Sequence, residues 1–129
     1  MRRIPDAQQH RFTVDDVLRM QDAGIISEDA RLELFEGRLV RMQAKNYAHE
    51  RIKSELIRII ARALPEAWAI GVETTAYLGE VTYLDPDISI IPRGVDIRAV
   101  KGPQIALVIE IADATLKKDL GPKADLYAK

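Results

Sequence analysis

Two short apolar runs in the second half of the chain constrain its fold more than any other feature. The first reads Leu84, Asp85, Pro86, Asp87, Ile88, Ser89, Ile90, Ile91, and the second Gln104, Ile105, Ala106, Leu107, Val108, Ile109, Glu110, Ile111. Each is rich in β-branched residues and bounded by Pro or Gly, the pattern of a buried strand in a mixed sheet. Each also carries a carboxylate at one end, Asp87 opening the first and Glu110 closing the second. An ionised carboxylate has no packing use in an apolar strand and must be paired or hydrated. Two such exceptions, on strands expected to be neighbours, point to a shared site.

The rest of the composition sets the frame around these runs. A chain of 129 residues has the size of one domain and can bury a core without metal or disulfide staples. Residues 1–11 read as a loosely held polar arm and 12–129 as a single domain. The chain has no Cys, which removes disulfides and thiolate metal sites and fits a reducing, cytoplasmic setting. No apolar run has the length needed to span a bilayer, so no membrane association is expected. The net charge of −1 argues against holding nucleic acid by bulk electrostatics, so any basic surface must be local. Lys117, Lys118, Lys123 and Lys129 could form one, although a solvated helix flank explains them as simply.

Along the chain, Thr13 with Asp16 three positions later reads as an N-cap, opening a short helix whose inner face takes Val14, Val17 and Leu18. Gly24 ends it. Leu32 to Val40 reads as a hairpin turning at Glu36 and Gly37. There, simple alternation gives Leu32, Leu34 and Arg38 one face and Glu33 the other, beside Phe35. Glu33 would then pair with Arg31 or Arg41 at a sheet edge, or serve a site.

Asn46 caps the long helix, in which Ile52, Leu56, Ile59, Ile60 and Ala63 recur at helical spacing before Pro65. His49 lies one turn ahead of Ile52, so its ring projects along the buried stripe. Residues 68–78 read as one strand, pairing antiparallel with the run that follows Asp87. Pro92 to Pro103 reads as a surface loop. Asp119 can cap a last helix carrying Lys123 and Tyr127 one turn apart, with Pro122 in its first turn.

The expected order is therefore helix, hairpin, long helix, three strands, helix: an α/β (α+β mixed) domain with a mixed central sheet. Two carboxylates and a backbone carbonyl, here that of Ile111, form an oxygen donor set suited to Mg²⁺ or Mn²⁺. Such an ion activates water and offsets charge on a phosphate under in-line attack. Lys123 is the lysine best placed to join them, because a helix starting at Asp119 can fold back toward the end of the Glu110 strand.

Taken jointly, Glu33 to Gly37, His49 opening a helix, Pro86-Asp87-Ile88, and Val108 to Ile111 followed by Thr115, Asp119, Lys123 and Tyr127 resemble the Uma-two family. That family is placed among restriction-endonuclease-like proteins of the PD-(D/E)xK type. The resemblance runs from about Phe12 to the end of the chain. It implies a restriction-endonuclease-like core, metal-dependent cleavage of DNA, and Asp87 and Glu110 as ligands with Glu33 as a further acidic residue. Lys123 would stand in for the motif lysine, because Ala112 occupies the position two after Glu110 where the parent motif has Lys. Relatives generally continue past the Tyr into a further strand and hairpin, so the chain reads as short at its C-terminus.

Three readings compete. The first is a Mg²⁺-dependent endonuclease acting on DNA, as a homodimer suited to cutting both strands. The second, motivated by Ala112 and the near-neutral charge, is a catalytically inactive relative serving as a nucleic-acid or protein-binding module. The third makes the carboxylates strand-end ion pairs with Arg93, Lys101 or Lys118.

Overall fold

The computed structural model describes residues 8–27, 29–42 and 46–112. The expectations placed on Thr115, Lys117, Lys118, Asp119, Lys123 and Tyr127 lie outside them. The architecture is the mixed α+β one expected, with helices α1 (Val14–Asp22) and α2 (Tyr47–Ala63). The strands are β1 (Leu32–Phe35), β2 (Arg38–Arg41), β3 (Trp68–Val72), β4 (Ala76–Tyr77), β5 (Tyr83–Leu84), β6 (Ile88–Pro92), β7 (Val100–Lys101) and β8 (Leu107–Ile109). They fall into two compact units, one holding α1, β1, β2 and β5, the other α2, β3, β4, β6, β7 and β8.

In the first unit, α1 begins with a complete capping box. The Thr13 hydroxyl accepts from the Asp16 N–H at 3.0 Å, and the Asp16 carboxylate accepts from the Thr13 N–H at 2.9 Å. The inner face expected for this helix is narrower than the sequence pattern: Val17 is buried, but Leu18 is 43% exposed.

The hairpin forms as expected, with β1 also pairing antiparallel with β5 through Leu34 and Tyr83. Its turn residues Glu36 and Gly37 both have positive φ, 49° and 84°, the combination of a type I′ turn. This two-residue turn corrects the expected faces. Phe35 lies opposite Arg38 and Leu34 opposite Leu39, so Arg38 shares the face of Glu33 and Phe35, while Leu39 and Arg41 share that of Leu32 and Leu34. Even-numbered residues pair with odd-numbered ones across such a turn, which simple alternation through it overlooks.

The second unit is built on the two runs that opened the sequence reading. Strand β6 lies between β3 and β8 and is antiparallel to both. Ile88, Ser89, Ile90 and Ile91 are all buried, as a central strand covered on both faces requires. Gly71 sits opposite Ser89, where a Cβ would lie 2.6 Å from the Ser89 hydroxyl and 2.9 Å from that of Thr74.

Two expectations about this unit are corrected. The segment 68–78 is not one strand, because the backbone leaves the sheet at Glu73, whose φ is 52°, and resumes as β4. Pro92 to Pro103 is not wholly irregular, because Val100 is buried and β7 pairs in parallel with β4, followed by a turn of 3₁₀ helix at Gly102–Gln104.

Helix α2 starts where Asn46 predicts, its side chain accepting from the His49 N–H at 2.8 Å, and stops before Pro65. Its inner stripe is rotated from the expected one. Ile52 and Ile59 are 48% and 55% exposed, whereas His49, Glu50, Leu56, Ile57 and Ile60 are part-buried and Lys53 is the buried residue of the helix.

Candidate active site at the ends of three strands

The site is assembled by strand register. In the β3–β6 ladder Val72 lies opposite Ile88, and in the β6–β8 ladder Ile88 lies opposite Ile109. One residue further along all three strands stand Glu73, Asp87 and Glu110. The Glu73 N–H donates to the Asp87 carbonyl oxygen at 3.2 Å, so the β3–β6 register persists through that row. Directly opposed residues of antiparallel strands project from the same face, with Cβ atoms about 5 Å apart. Thus the two acidic residues that interrupt the apolar runs are cross-strand neighbours, 23 positions apart in the chain.

Asp87 is buried and held on both oxygens. Oδ2 accepts a 2.7 Å hydrogen bond from the Ile111 N–H, and Oδ1 lies 3.2 Å from Nε2 of His49. A charged acceptor shortens and strengthens such a bond, which fixes the rotamer of the carboxylate. The group by which Ile111 reaches Asp87 is therefore its amide, a donor, in addition to whatever its carbonyl oxygen does.

Helix α2 supplies the surroundings. His49, Glu50 and Lys53 lie within one turn, so their side chains reach a common patch. Nδ1 of His49 is 3.7 Å from Oε1 of Glu50 and makes no hydrogen bond. Lys53 is 4% exposed, and its ammonium lies 3.0 Å from Oε1 of Glu73 and 3.3 Å from Oε1 of Glu50. Burial by itself would lower the Lys53 pKa, but hydrogen bonds and charge from Glu73 and Glu50 outweigh it and raise the pKa above the usual 10.5. Lys53 is an ammonium throughout the physiological range.

The structure thus brings Asp87, Glu110, Ile111 and His49 to one end of the three-stranded sheet. Glu33 belongs to the other unit, 5% exposed in β1 opposite Val40. Lys123, Asp119 and Tyr127 lie outside the described residues. Lys53, Glu50 and Glu73 were not singled out from the sequence. The available signal was spacing, since Lys53 follows His49 by four residues and so shares its face. Arg93, proposed as an ion-pair partner for the strand carboxylates, instead donates to the carbonyl oxygens of Glu66 and Trp68. Among the described residues no group of three or more His, Cys, Asp or Glu side chains is arranged as a metal would hold them.

Residues 14–129 match the family model Uma2, described as "Putative restriction endonuclease". The chain belongs to the Uma2 family. The match spans both units and includes every acidic and basic residue named above. No curated protein matches this Uma2 chain. The mixed α+β architecture is consistent with the restriction-endonuclease-like fold. No helix among the described residues is long and apolar enough to cross a membrane.

Proposed function

We propose that this Uma2 protein is a divalent-metal-dependent endonuclease that hydrolyses DNA phosphodiester bonds, with Asp87 and Glu110 as the protein's metal ligands. The observation that supports the reading is the β6–β8 register, whose next row holds Asp87 and Glu110, together with membership of a family described as "Putative restriction endonuclease". The donor set fits the ion. Mg²⁺ and Mn²⁺ take hard oxygen ligands, and Mg²⁺ is commonly held by one or two carboxylates while keeping several waters.

The chemistry such an ion supplies is activation of water and neutralisation of charge on the phosphate. The chain's own residues prepare for it. The Ile111 N–H and His49 hold Asp87 in a single orientation, so little side-chain freedom remains to be lost on binding. The carbonyl oxygen of Ile111 is the proposed third protein donor, Lys123 the ammonium facing the phosphate, and Glu33 a further acidic participant. Asp119 and Tyr127 are further candidates for the site. A homodimer in the cytoplasm suits an enzyme that cuts both strands of a duplex.

The test is cleavage of supercoiled plasmid with Mg²⁺ or Mn²⁺ by the native chain, Asp87→Ala and Glu110→Ala. Cleavage by the native chain that falls at least about a hundredfold in both variants is expected. Cleavage undiminished in either variant would remove that residue from the site.

Ala112 at the motif-lysine position favours a second reading, a catalytically inactive relative that binds nucleic acid or protein. DNA binding that weakens with salt, persists in EDTA and is accompanied by no cleavage with any divalent ion would select it.

A further inference from the structure

Helix α2 has two opposed faces, and the candidate site draws on only one of them. His49 and Lys53, four residues apart, share the inner face, where Nε2 of His49 lies 3.2 Å from Asp87 and the Lys53 ammonium 3.0 Å from Glu73. At about 3.6 residues per turn, the opposite face takes Tyr47, Arg51, Arg58 and Arg62. All four are exposed, Tyr47 by 81%.

Positive charge is concentrated on this outer face. Arg51, Arg58 and Arg62 line about 16 Å of helix, with the carboxylate of Glu55 among them. Glu55 pairs with Arg58 at 2.9 Å, and both side chains are more than half exposed. A surface pair of this kind contributes about 0–1 kcal/mol, so a phosphate can take over the guanidinium at little cost. Glu50, at the border of the face, is held by Lys53. In a chain whose net charge is −1, such a stripe is the local basic surface that binding to nucleic acid requires.

Tyr47 and the position of the stripe add to the charge. An aromatic ring left in solvent has no packing use, but its hydroxyl can donate to a phosphate oxygen. Tyr47 is the first residue of α2, in the same turn as His49, whose ring reaches Asp87. The stripe therefore begins at the end of the sheet that carries the site and leads away from it, as a duplex does from the bond being cut.

We propose that the outer face of α2, through Tyr47, Arg51, Arg58 and Arg62, holds the phosphate backbone of the DNA duplex that flanks the bond to be cleaved. The inference rests on the reading of DNA as the substrate and adds the surface that binds it. Guanidinium groups match phosphate oxygens with two parallel hydrogen bonds, a contact that positions a duplex without reading its sequence. Each phosphate so neutralised adds about 0.9 to the slope of log affinity against log salt. Ile52 and Ile59, 48% and 55% exposed, border the stripe, and a second copy of the chain is the other occupant such a border suits.

The experiment is fluorescence anisotropy of a labelled DNA duplex of mixed sequence, in EDTA and over a series of salt concentrations. It compares the native chain with Arg51→Ala, Arg62→Ala, the double variant, Tyr47→Ala and Arg98→Ala, each checked for folding by circular dichroism and for oligomeric state by sedimentation. Arg98, an exposed arginine between β6 and β7, controls for charge lost elsewhere. Arg51→Ala and Arg62→Ala should each weaken binding several-fold and lower the salt slope by about 0.9, with the two effects adding in the double variant. Tyr47→Ala should weaken binding at an unchanged slope, and Arg98→Ala should match the native chain. Unchanged affinity and slope in the double variant, an equal loss in Arg98→Ala, or no binding of the duplex by the native chain overturns the proposal. Loss of binding in the double variant together with dissociation of a dimer assigns the face to a second copy and also overturns it. Binding in EDTA needs no ion, so the metal reading of Asp87 and Glu110 stands or falls separately, on the cleavage assay.

Discussion

The Asp87 carboxylate accepts the Ile111 N–H at 2.7 Å, so a side chain at the mouth of β6 completes the hydrogen bonding of backbone just beyond the end of β8. The bond does two things at once. It satisfies a part-buried donor where the ladder has stopped, and it orients the carboxylate beside Glu110. Structure and proposed chemistry therefore draw on the same contact.

Replacing Asp87 by Asn should separate these uses. The Asn side-chain oxygen can still accept from Ile111, so the loss is the charge assistance there and the pairing of the second oxygen with Nε2 of His49, together about 1 kcal/mol. A urea midpoint close to the native one is expected, with cleavage abolished. A collapse of the fold in Asp87→Asn would show that the carboxylate's main task is structural.

Lys53 makes a prediction in alkaline solution. Its folded pKa is raised, so the stability it contributes is present below the unfolded value of 10.5 and disappears as pH climbs through the higher folded value. Lys53→Met should cost about 1–3 kcal/mol at neutral pH, because the hydrogen bonds from Lys53 to Glu73 and Glu50 are lost. In denaturation curves collected from neutral to strongly alkaline pH, the gap between native and variant should stay constant up to the unfolded value of 10.5 and narrow above it. A gap independent of pH would mean that packing of the lysine stem, not its charge, is what counts.

The turn of the hairpin is open to improvement. Glu36 pays for a φ of 49° that Asn adopts more readily, and Asn followed by Gly is the favoured type I′ pair. Both the Glu36 N–H, donated to the Thr82 hydroxyl, and its carbonyl oxygen, which accepts from Arg11, survive the change. Glu36→Asn should raise stability by about 0.5–1 kcal/mol. Gly37→Ala should lower it, since φ is 84° and the new Cβ would lie 2.7 Å from that of Arg11. Thermal melts of the two variants should move in opposite directions.

Gly71→Ala addresses the packing beneath the site. The added Cβ meets the hydroxyls of Ser89 and Thr74 on a strand pair that has no slack, so a loss of about 1–3 kcal/mol is expected. Pairing it with Ser89→Ala should recover part of that loss. Additive losses in the double variant would place the clash elsewhere.

What the sequence made legible follows from which forces are local. The capping box at Thr13 and the Asn46 cap are side chain to backbone bonds over three residues, and both form as read. Asp87 and Glu110 stood out because a charge at the end of an apolar run is costly wherever the run is buried. Lys53 did not stand out, because hydropathy ranks a lysine as solvent-facing and so assigned the inner stripe to Ile52 and Ile59. The carboxylates of Glu50 and of Glu73, the latter brought there by tertiary structure, make the burial of Lys53 tolerable. Strand β7 was missed for a similar reason: Val100 and Lys101 lie in a charged segment, and their strand character comes from pairing with β4. The break at Glu73 was missed because nothing in a β-rich run marks a single residue of positive φ when it is not glycine.

The claim on which the account rests is that Asp87 and Glu110 bind a divalent ion together. Calorimetric titration of Mn²⁺ into the native chain, Asp87→Asn and Glu110→Gln tests it most directly. Saturable binding by the native chain, weakened at least about tenfold in each variant, is the predicted result, a loss of about 1.4 kcal/mol or more apiece. Equal affinity in all three proteins, each shown to be folded, would contradict it.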